Sequence, residues 1–330
     1  MKYQSDESGT PGSSREQPMI DACHRWPVES SKDPWSGILE RPLVGNPIRN
    51  REFRLHPSEE TNEIIRYVVA VMMERTGIRL SCISVMSNHW HLCASDPEGR
   101  ICDFTRDAHS FIARAVNATH GDFEGFWSTE QTSHVTCVEP DDFIAKIAYA
   151  MANPVEALLV ERGEEWPGVR MAWPAPAQVV KRPEKFFRGV EEGGIWPETA
   201  VLEMSRPPGY AELSDEELAV VVNGAIEDRE QAIREKARRK GKKFMGVKKL
   251  LKQSRYDRPK SEEERFELVP TVACRSKWRR IERLAWNRLW RDAYEAALEK
   301  WVAGDRMVEF PYGTYKMRVL HRVVCAPPPT

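Results

Sequence analysis

Two histidines, a tyrosine and an asparagine carry the residue types and spacings that could do chemistry. His89 and His91 flank Trp90 in "SVMSNHWHLCASD" (84–96). In an extended chain successive side chains alternate faces, so the two imidazoles project together and Trp90 points the other way. Two imidazoles on one rigid face can hold a divalent cation through ring nitrogens. The same pattern also suits two half-exposed polar residues alternating with a buried indole, so a further ligand is needed to choose. "PDDFIAKIAYAMANP" (140–154) offers one. As a helix it puts Phe143, Ile144, Ile147, Ala148 and Met151 on one apolar stripe. Tyr149 and Asn153 then project from the polar side, with Asp142 and Lys146, as i and i+4 neighbours. Each has a plainer reading. Tyr149 also fits a surface tyrosine. Asn153 precedes Pro154, which disfavours helix at Asn153 and lets a new helix start at Pro154 with Asn153 as its cap. Lys146 suits either a solvated face or a phosphate contact.

These residues need elements to position them. "PSEETNEIIRYVVAVMMERTG" reads as a helix, with Glu59 and Glu60 favourable to its dipole and Gly77 ending it. "IRLSCISVM" reads as a buried strand, Ser87-Asn88 as a turn, and "HWHLCAS" as the antiparallel partner. A second amphipathic helix closes at Gly121, and "SHVTCVE" is a further strand before the tyrosine helix. An earlier strand is required in "SGILERPLVG" or "REFRL". There Pro42, Gly45, Asn46 and Pro47 make a poor central strand. The order implies an α+β protein of ferredoxin-like type, an antiparallel sheet with helices on one face.

Four regions follow. Residues 1–37, rich in Ser, Pro, Gly and Asp, read as a disordered tail; 38–172 hold the α+β unit; 173–209 are a proline-rich connector; 210–330 are mainly helical and basic. In the last region Ser214 opens a helix with a capping-box pattern. A later helix carries Trp286, Leu289, Trp290, Ala293, Tyr294 and Ala297 as one stripe, which reads as core although such a stripe can also stack bases.

Composition narrows the class. The chain has 330 residues, 41% hydrophobic and 30% charged, as expected of a soluble globular protein. No apolar run of roughly 18 residues indicates a membrane span, and the polar N-terminus does not read as a secretory signal. Seven cysteines without a Cys-x-x-Cys argue against a zinc ribbon and for reduced thiols in a cytosol. Net charge is −1. Its distribution is uneven: from Ile233 to Lys260 there are 13 Lys/Arg against two acids. Arg238, Arg239, Lys240, Lys242, Lys243, Lys248 and Lys249 lie in this block, which can contact phosphates or form a solvated basic helix.

Taken together, "MSNHWHL" and, about sixty residues on, "YAMANPVEALLVERGEEWPG" resemble the single-tyrosine HUH transposases, in particular the REP-associated tyrosine transposases. That family has a His-hydrophobic-His strand and a later helix with Tyr-x-x-x-Asn-Pro-Val; "GFWSTEQ" resembles its tryptophan-containing segment. The resemblance spans roughly residues 50–170. It implies a ferredoxin-like or RRM-like palm acting on single-stranded, often hairpin, DNA as a monomer or homodimer, in a cytoplasmic, nucleoid-associated setting. It implies that His89 and His91, with Asn153, bind Mg²⁺ or Mn²⁺, and that Tyr149 is the nucleophile. It also implies DNA contacts from Arg49, Arg51, Lys146 and the basic block. A catalytically lapsed DNA-binding protein of the same fold is the alternative.

Overall fold

The computed structural model describes residues 42–123, 125–128, 132–187, 196–260 and 271–327, and of 42–46 the backbone alone. The tail expected over 1–37 lies outside the described residues. In chain order the first elements are β1 (Pro42–Pro47), α1 (Glu59–Thr76), β2 (Arg79–Val85), β3 (His89–Ser95), α2 (Ile101–His120), β4 (Ser133–Cys137) and α3 (Pro140–Glu156). Then come β5 (Arg170–Ala172), β6 (Gln178–Lys181), β7 (Thr199–Leu202), α4 (Asp215–Arg239) and α5 (Val247–Leu250). β8 (Val272–Ala273), α6 (Lys277–Val302), β9 (Glu309–Phe310), α7 (Lys316–His321) and β10 (Val324–Cys325) complete the chain.

Local chemistry sets the boundaries. Ser58 Oγ accepts from the Thr61 N–H at 3.2 Å, and Glu59 and Glu60 occupy the first turn of α1. Gly77, at φ 69°, ends that helix in the left-handed region that a side chain disfavours. The Asp96 carboxylate accepts from the N–H groups of Arg100 and Ile101, both at 2.8 Å, and starts α2. Glu139 and Asp142 form a capping box on α3, with Pro140 at its first position.

Six strands form one sheet in the order β5-β2-β3-β1-β4-β8. β1 lies inside the sheet, antiparallel to β3 with Gly45 opposite His91, and antiparallel to β4 with Gly45 opposite Ser133. The sequence made this a poor central strand. The prolines explain the outcome: Pro42 and Pro47 are the terminal residues of β1, where a missing N–H interrupts the ladder least. The edge pair β4–β8 is parallel, so the sheet is mixed rather than wholly antiparallel.

The helices do not keep to one face. Trp90 packs against His109 of α2, while His91, one residue on, packs against Tyr149 of α3. Alternation therefore puts α2, with α1 beside it, on one face and α3 on the other. A sheet covered on both sides has no solvent face. Accordingly, β2 is buried at every residue after Arg79, and its sequence runs apolar rather than alternating.

The segment expected as a connector contains the β6–β7 hairpin, which packs on α1. α4 packs along α3. α6 seats Trp290, Tyr294 and Ala297 against Phe310 and Met317, in a smaller core of its own. The expected aromatic stripe is thus divided: Trp290, Tyr294 and Ala297 are buried, but Leu289 and Ala293 are exposed. The helix turns its 287/290/294/297 line inward; 289 lies about a third of a turn and 293 about a fifth of a turn from its centre.

Candidate active site

The imidazoles of His89 and His91 meet edge to face, with ring centroids 4.9 Å apart. Their backbone is fixed by ladders on both sides. Ser84 of β2 and Gly45 of β1 are the register partners of His91, so both share its face. Gly45 has no Cβ, and the imidazole face therefore meets no branched neighbour from that strand. Asn88 orients His89. Its Nδ2 donates to the Arg51 carbonyl at 3.5 Å, and its Oδ1 lies 2.7 Å from His89 Nδ1. With Oδ1 as acceptor, Nδ1 carries the proton and Nε2 keeps its lone pair. The turn before Asn88's partner is unusual: Asn50 and Arg51 both have positive φ, 56° and 59°. Such a conformation costs a non-glycine residue of order 1 kcal/mol, and here it presents the Arg51 carbonyl to Asn88.

α3 brings the second half of the site. The Tyr149 ring lies 5.4 Å from the His91 ring. The Asn153 side chain lies beside both His89 and Tyr149, where it acts upward on the pKa of the first and downward on that of the second. An amide can favour the charged form of both partners, since its oxygen accepts from the imidazolium that a second proton on His89 would make and its NH₂ donates to the phenol oxygen. Asn153 is buried inside the helix and is not a cap: α3 continues through Pro154 to Glu156. A proline forfeits one intrahelical bond, a loss confined here to the last turn. The polar side of α3 is also less open than its wheel implies, because α4 covers it.

Burial sets the electrostatics. It holds His89 down at about 4, against a smaller upward effect of the Asn153 hydrogen bond and a further lowering by Arg51. Burial, then the neighbouring His89 and Lys146, hold His91 well below the usual imidazole range. Both rings are neutral at neutral pH and keep lone pairs for a Lewis acid. Both ring nitrogens of His91 are buried without a hydrogen-bond partner among the described residues, and so is Ser84 Oγ. Buried polar atoms are ordinarily satisfied, so these orphans mark a place built for something polar.

Tyr149 is pushed up, first by burial and then by the Glu156 charge; Arg229 and the Asn153 hydrogen bond act the other way. The Arg229 guanidinium lies 5.0 Å from the Tyr149 ring centre and pairs with Glu156 at 2.8 Å. Lys146 Nζ lies 5.5 Å from the same ring. Sequence reasoning singled out Lys146 but missed Arg229, Glu156 and Asn88. Asn88 was readable as the residue beside His89 in the turn. Nothing local marks Arg229, which reaches the site only because α4 folds back along α3.

The other basic residues are more dispersed. Arg49 is exposed and lies against Gly125, where an added Cβ would meet its Nη1 at 3.0 Å. Arg51 is half-buried beside His89. Arg238, Arg239, Lys240, Lys242, Lys243, Lys248 and Lys249 are exposed at the end of α4, in the following loop and on α5. This segment is fastened to the sheet unit: the Met245 N–H donates to the Leu158 carbonyl at 2.8 Å, and Arg258 pairs with Glu52 at 2.7 Å.

A second histidine pair lies behind the same strands. His134 of β4 is opposite Val44, itself opposite Leu92, which places it on the Trp90 face. There His109 stacks with Trp90 at 5.0 Å and Trp127 at 4.5 Å. Burial pushes His109 down to about 3, with a further lowering by His134. Glu139, Asp142 and Cys274 also come within 4.8 Å of one another, but the two carboxylates are already engaged in capping α3.

No protein-family model and no curated protein matches the chain. Among solved structures it is similar to a REP-associated tyrosine transposase bound to a REP hairpin, at 15% identity and a TM-score of 0.34. That match covers 49% of this chain and 100% of the other. A likeness at this level fixes neither fold nor activity. No described helix is long and apolar enough to cross a membrane.

Proposed function

We propose that this chain is a metal-assisted endonuclease and strand transferase of single-stranded DNA, with Tyr149 as nucleophile. The observation that carries the reading is the convergence of three rings, His89 and His91 at 4.9 Å and His91 and Tyr149 at 5.4 Å, with the Asn153 side chain beside His89 and Tyr149. It ties a neutral imidazole pair to a buried phenol across two elements far apart in sequence. In this reading residues 38–172 form a ferredoxin-like palm, whose βαββαβ order and β2-β3-β1-β4 arrangement fit a split βαβ unit. Residues 210–330 hold DNA.

The residues present fit a divalent cation. His89 Nε2, a nitrogen of His91 and the Asn153 oxygen would supply two nitrogens and one oxygen, and one of the two orphaned His91 nitrogens would gain a partner. This mixed set suits Mn²⁺ at least as well as Mg²⁺, which favours oxygen. When bound, such an ion polarises a scissile phosphate and offsets the charge that develops on it.

The chain's own groups account for the rest. The Tyr149 oxygen attacks phosphorus, the bond to the 3′ oxygen breaks, and that oxygen leaves as a 3′-hydroxyl after taking up a proton. The 5′ side remains joined to Tyr149 as a phosphotyrosine, which conserves the ester for a later 3′-hydroxyl to attack. Phenol, with an ordinary pKa near 10, leaves again more readily than an aliphatic alkoxide. Lys146 and Arg229 offset the phenolate charge as its proton departs, and both can meet phosphate oxygens. Every group in this account comes from one chain, so a monomer suffices.

The test incubates the full chain with Mn²⁺ or Mg²⁺ and end-labelled single-stranded hairpin DNA. The expected result is a denaturant-resistant protein–DNA adduct with release of a 3′-hydroxyl fragment, both lost in Tyr149→Phe. An adduct that persists in Tyr149→Phe removes the nucleophile. DNA binding without any adduct, across many hairpins, makes the protein a binder only.

A further inference from the structure

α6 breaks a rule that α4 keeps. α4 opens with Asp215, Glu216 and Glu217 and ends with Lys236, Arg238 and Arg239, as the helix dipole favours. α6 has no acid in its first turn, which instead holds Lys277, Arg279 and Arg280. Cations at that end oppose the dipole. From Arg275 to Arg291 there are seven Lys/Arg against one acid, Glu282.

The same stretch exposes apolar surface. Trp278 is 75% exposed, Leu289 59% and Ile281 46%. These three, with the exposed Ala285, follow helical spacing along one line. The buried line through Trp290, Tyr294 and Ala297 lies on roughly the opposite side. α6 therefore has one stripe seated in the small core and a second, facing out, bordered on one side by exposed Lys277 and Arg288. Lys277 Nζ lies 5.9 Å from the Trp278 ring centre.

We infer that the outward face of the N-terminal half of α6 is a binding surface for a single-stranded polynucleotide, separate from the histidine–tyrosine site, in which Trp278 stacks a base while Lys277 and Arg288 hold flanking phosphates. An exposed indole among cations has the chemistry such a strand needs: a π-face that any base can use and charges for its backbone. A second copy of the chain is a poorer occupant, because pairing two such halves would bring seven cations against seven. The choice of DNA as the polynucleotide rests on the proposed function; the surface itself does not.

The test measures binding of labelled oligodeoxythymidine to the full chain by fluorescence anisotropy, in EDTA so that no covalent step intervenes, across a salt series. Trp278→Ala is expected to weaken binding about 5- to 100-fold, the range of one stacking contact, and Trp278→Phe to recover most of it. The double variant Lys277→Gln/Arg288→Gln is expected to lower the slope of log affinity against log salt by about 1.4, at about 0.7 per single-strand phosphate contact. Trp278, Lys277 and Arg288 are exposed, and circular dichroism checks that each variant stays folded. The inference fails if affinity and salt slope are unchanged in all three. It also fails if Trp278→Ala and Leu289→Ala convert a dimer to a monomer in sedimentation with DNA affinity unaltered. An adduct at Tyr149 alongside unchanged affinity in these variants sinks this surface and leaves the proposed function standing. Loss of affinity in a chain that never forms an adduct does the reverse.

Discussion

His89 and His91 sit back to back with His109 and His134, on opposite faces of the same central strands. Burial holds His89, His91 and His109 neutral, and both pairs leave ring nitrogens without hydrogen-bond partners among the described residues. What surrounds them differs. The first pair meets an amide, a phenol and two cations. The second meets the indoles of Trp90 and Trp127. A cation needs oxygen or nitrogen donors converging on one point, and an anion needs positive charge close by; indole faces supply neither a lone pair nor a full charge. Paired imidazoles alone therefore do not make a site. In the proposed function the neighbours from a second element make the difference.

The comparison breaks most readily at His91. His91→Ala should lower Mn²⁺ affinity by more than about 100-fold, beyond the loss of an outer partner, and abolish the adduct. His134→Ala should leave Mn²⁺ affinity unchanged by calorimetry. If both variants lose the metal equally, the two pairs are equivalent and the contrast is wrong. Asn88→Ala should weaken Mn²⁺ by about 10- to 100-fold, because His89 loses the acceptor that fixes its tautomer.

Trp90→Ala sharpens the other side. It removes a fully buried indole and should cost about 3–5 kcal/mol in denaturant unfolding. A smaller effect follows for Arg229→Gln. Without that cation the Tyr149 phenol rises further, so the rate of adduct formation should fall about two- to fivefold near neutrality and its pH profile should move upward. An unmoved profile would make Arg229 merely structural. The mildest test uses acid. Folded His109 titrates near 3 against about 6.5 when unfolded. The unfolded chain binds the proton first, so stability is flat above about pH 6.5 and falls on acidification until about pH 3. His109→Gln should flatten part of that fall in thermal melts.

Much of the frame was legible. α1 starts after Ser58 and stops at Gly77 because cap chemistry is local. β3 runs from His89 to Ser95, as its β-rich composition and the Ser87-Asn88 turn imply. The readings that missed were those decided by distant partners. β1 reaches the sheet interior because strands on both sides compensate for its prolines. α3 passes through Pro154 because packing on two sides outweighs one lost bond. Covering both faces was hidden for a related reason: α3's apolar stripe does not say which face of the sheet it meets. Within the site, spacing pointed to His89, His91, Tyr149 and Asn153, whereas Arg229 is seventy-six residues beyond Asn153 and carried no local mark.

One consequence follows from how tightly α3 is gripped. Phe143, Ile147, Ala150, Ala152 and Val155 are wholly enclosed, with the sheet on one flank and α4 on the other. The helix has no room to swing, so the phenol travels only by rotating about its own two side-chain torsions. In a cut-and-rejoin cycle the choreography would then fall to the nucleic acid: each incoming end must be delivered to a stationary tyrosine, and whatever bends or threads the strand sets the pace.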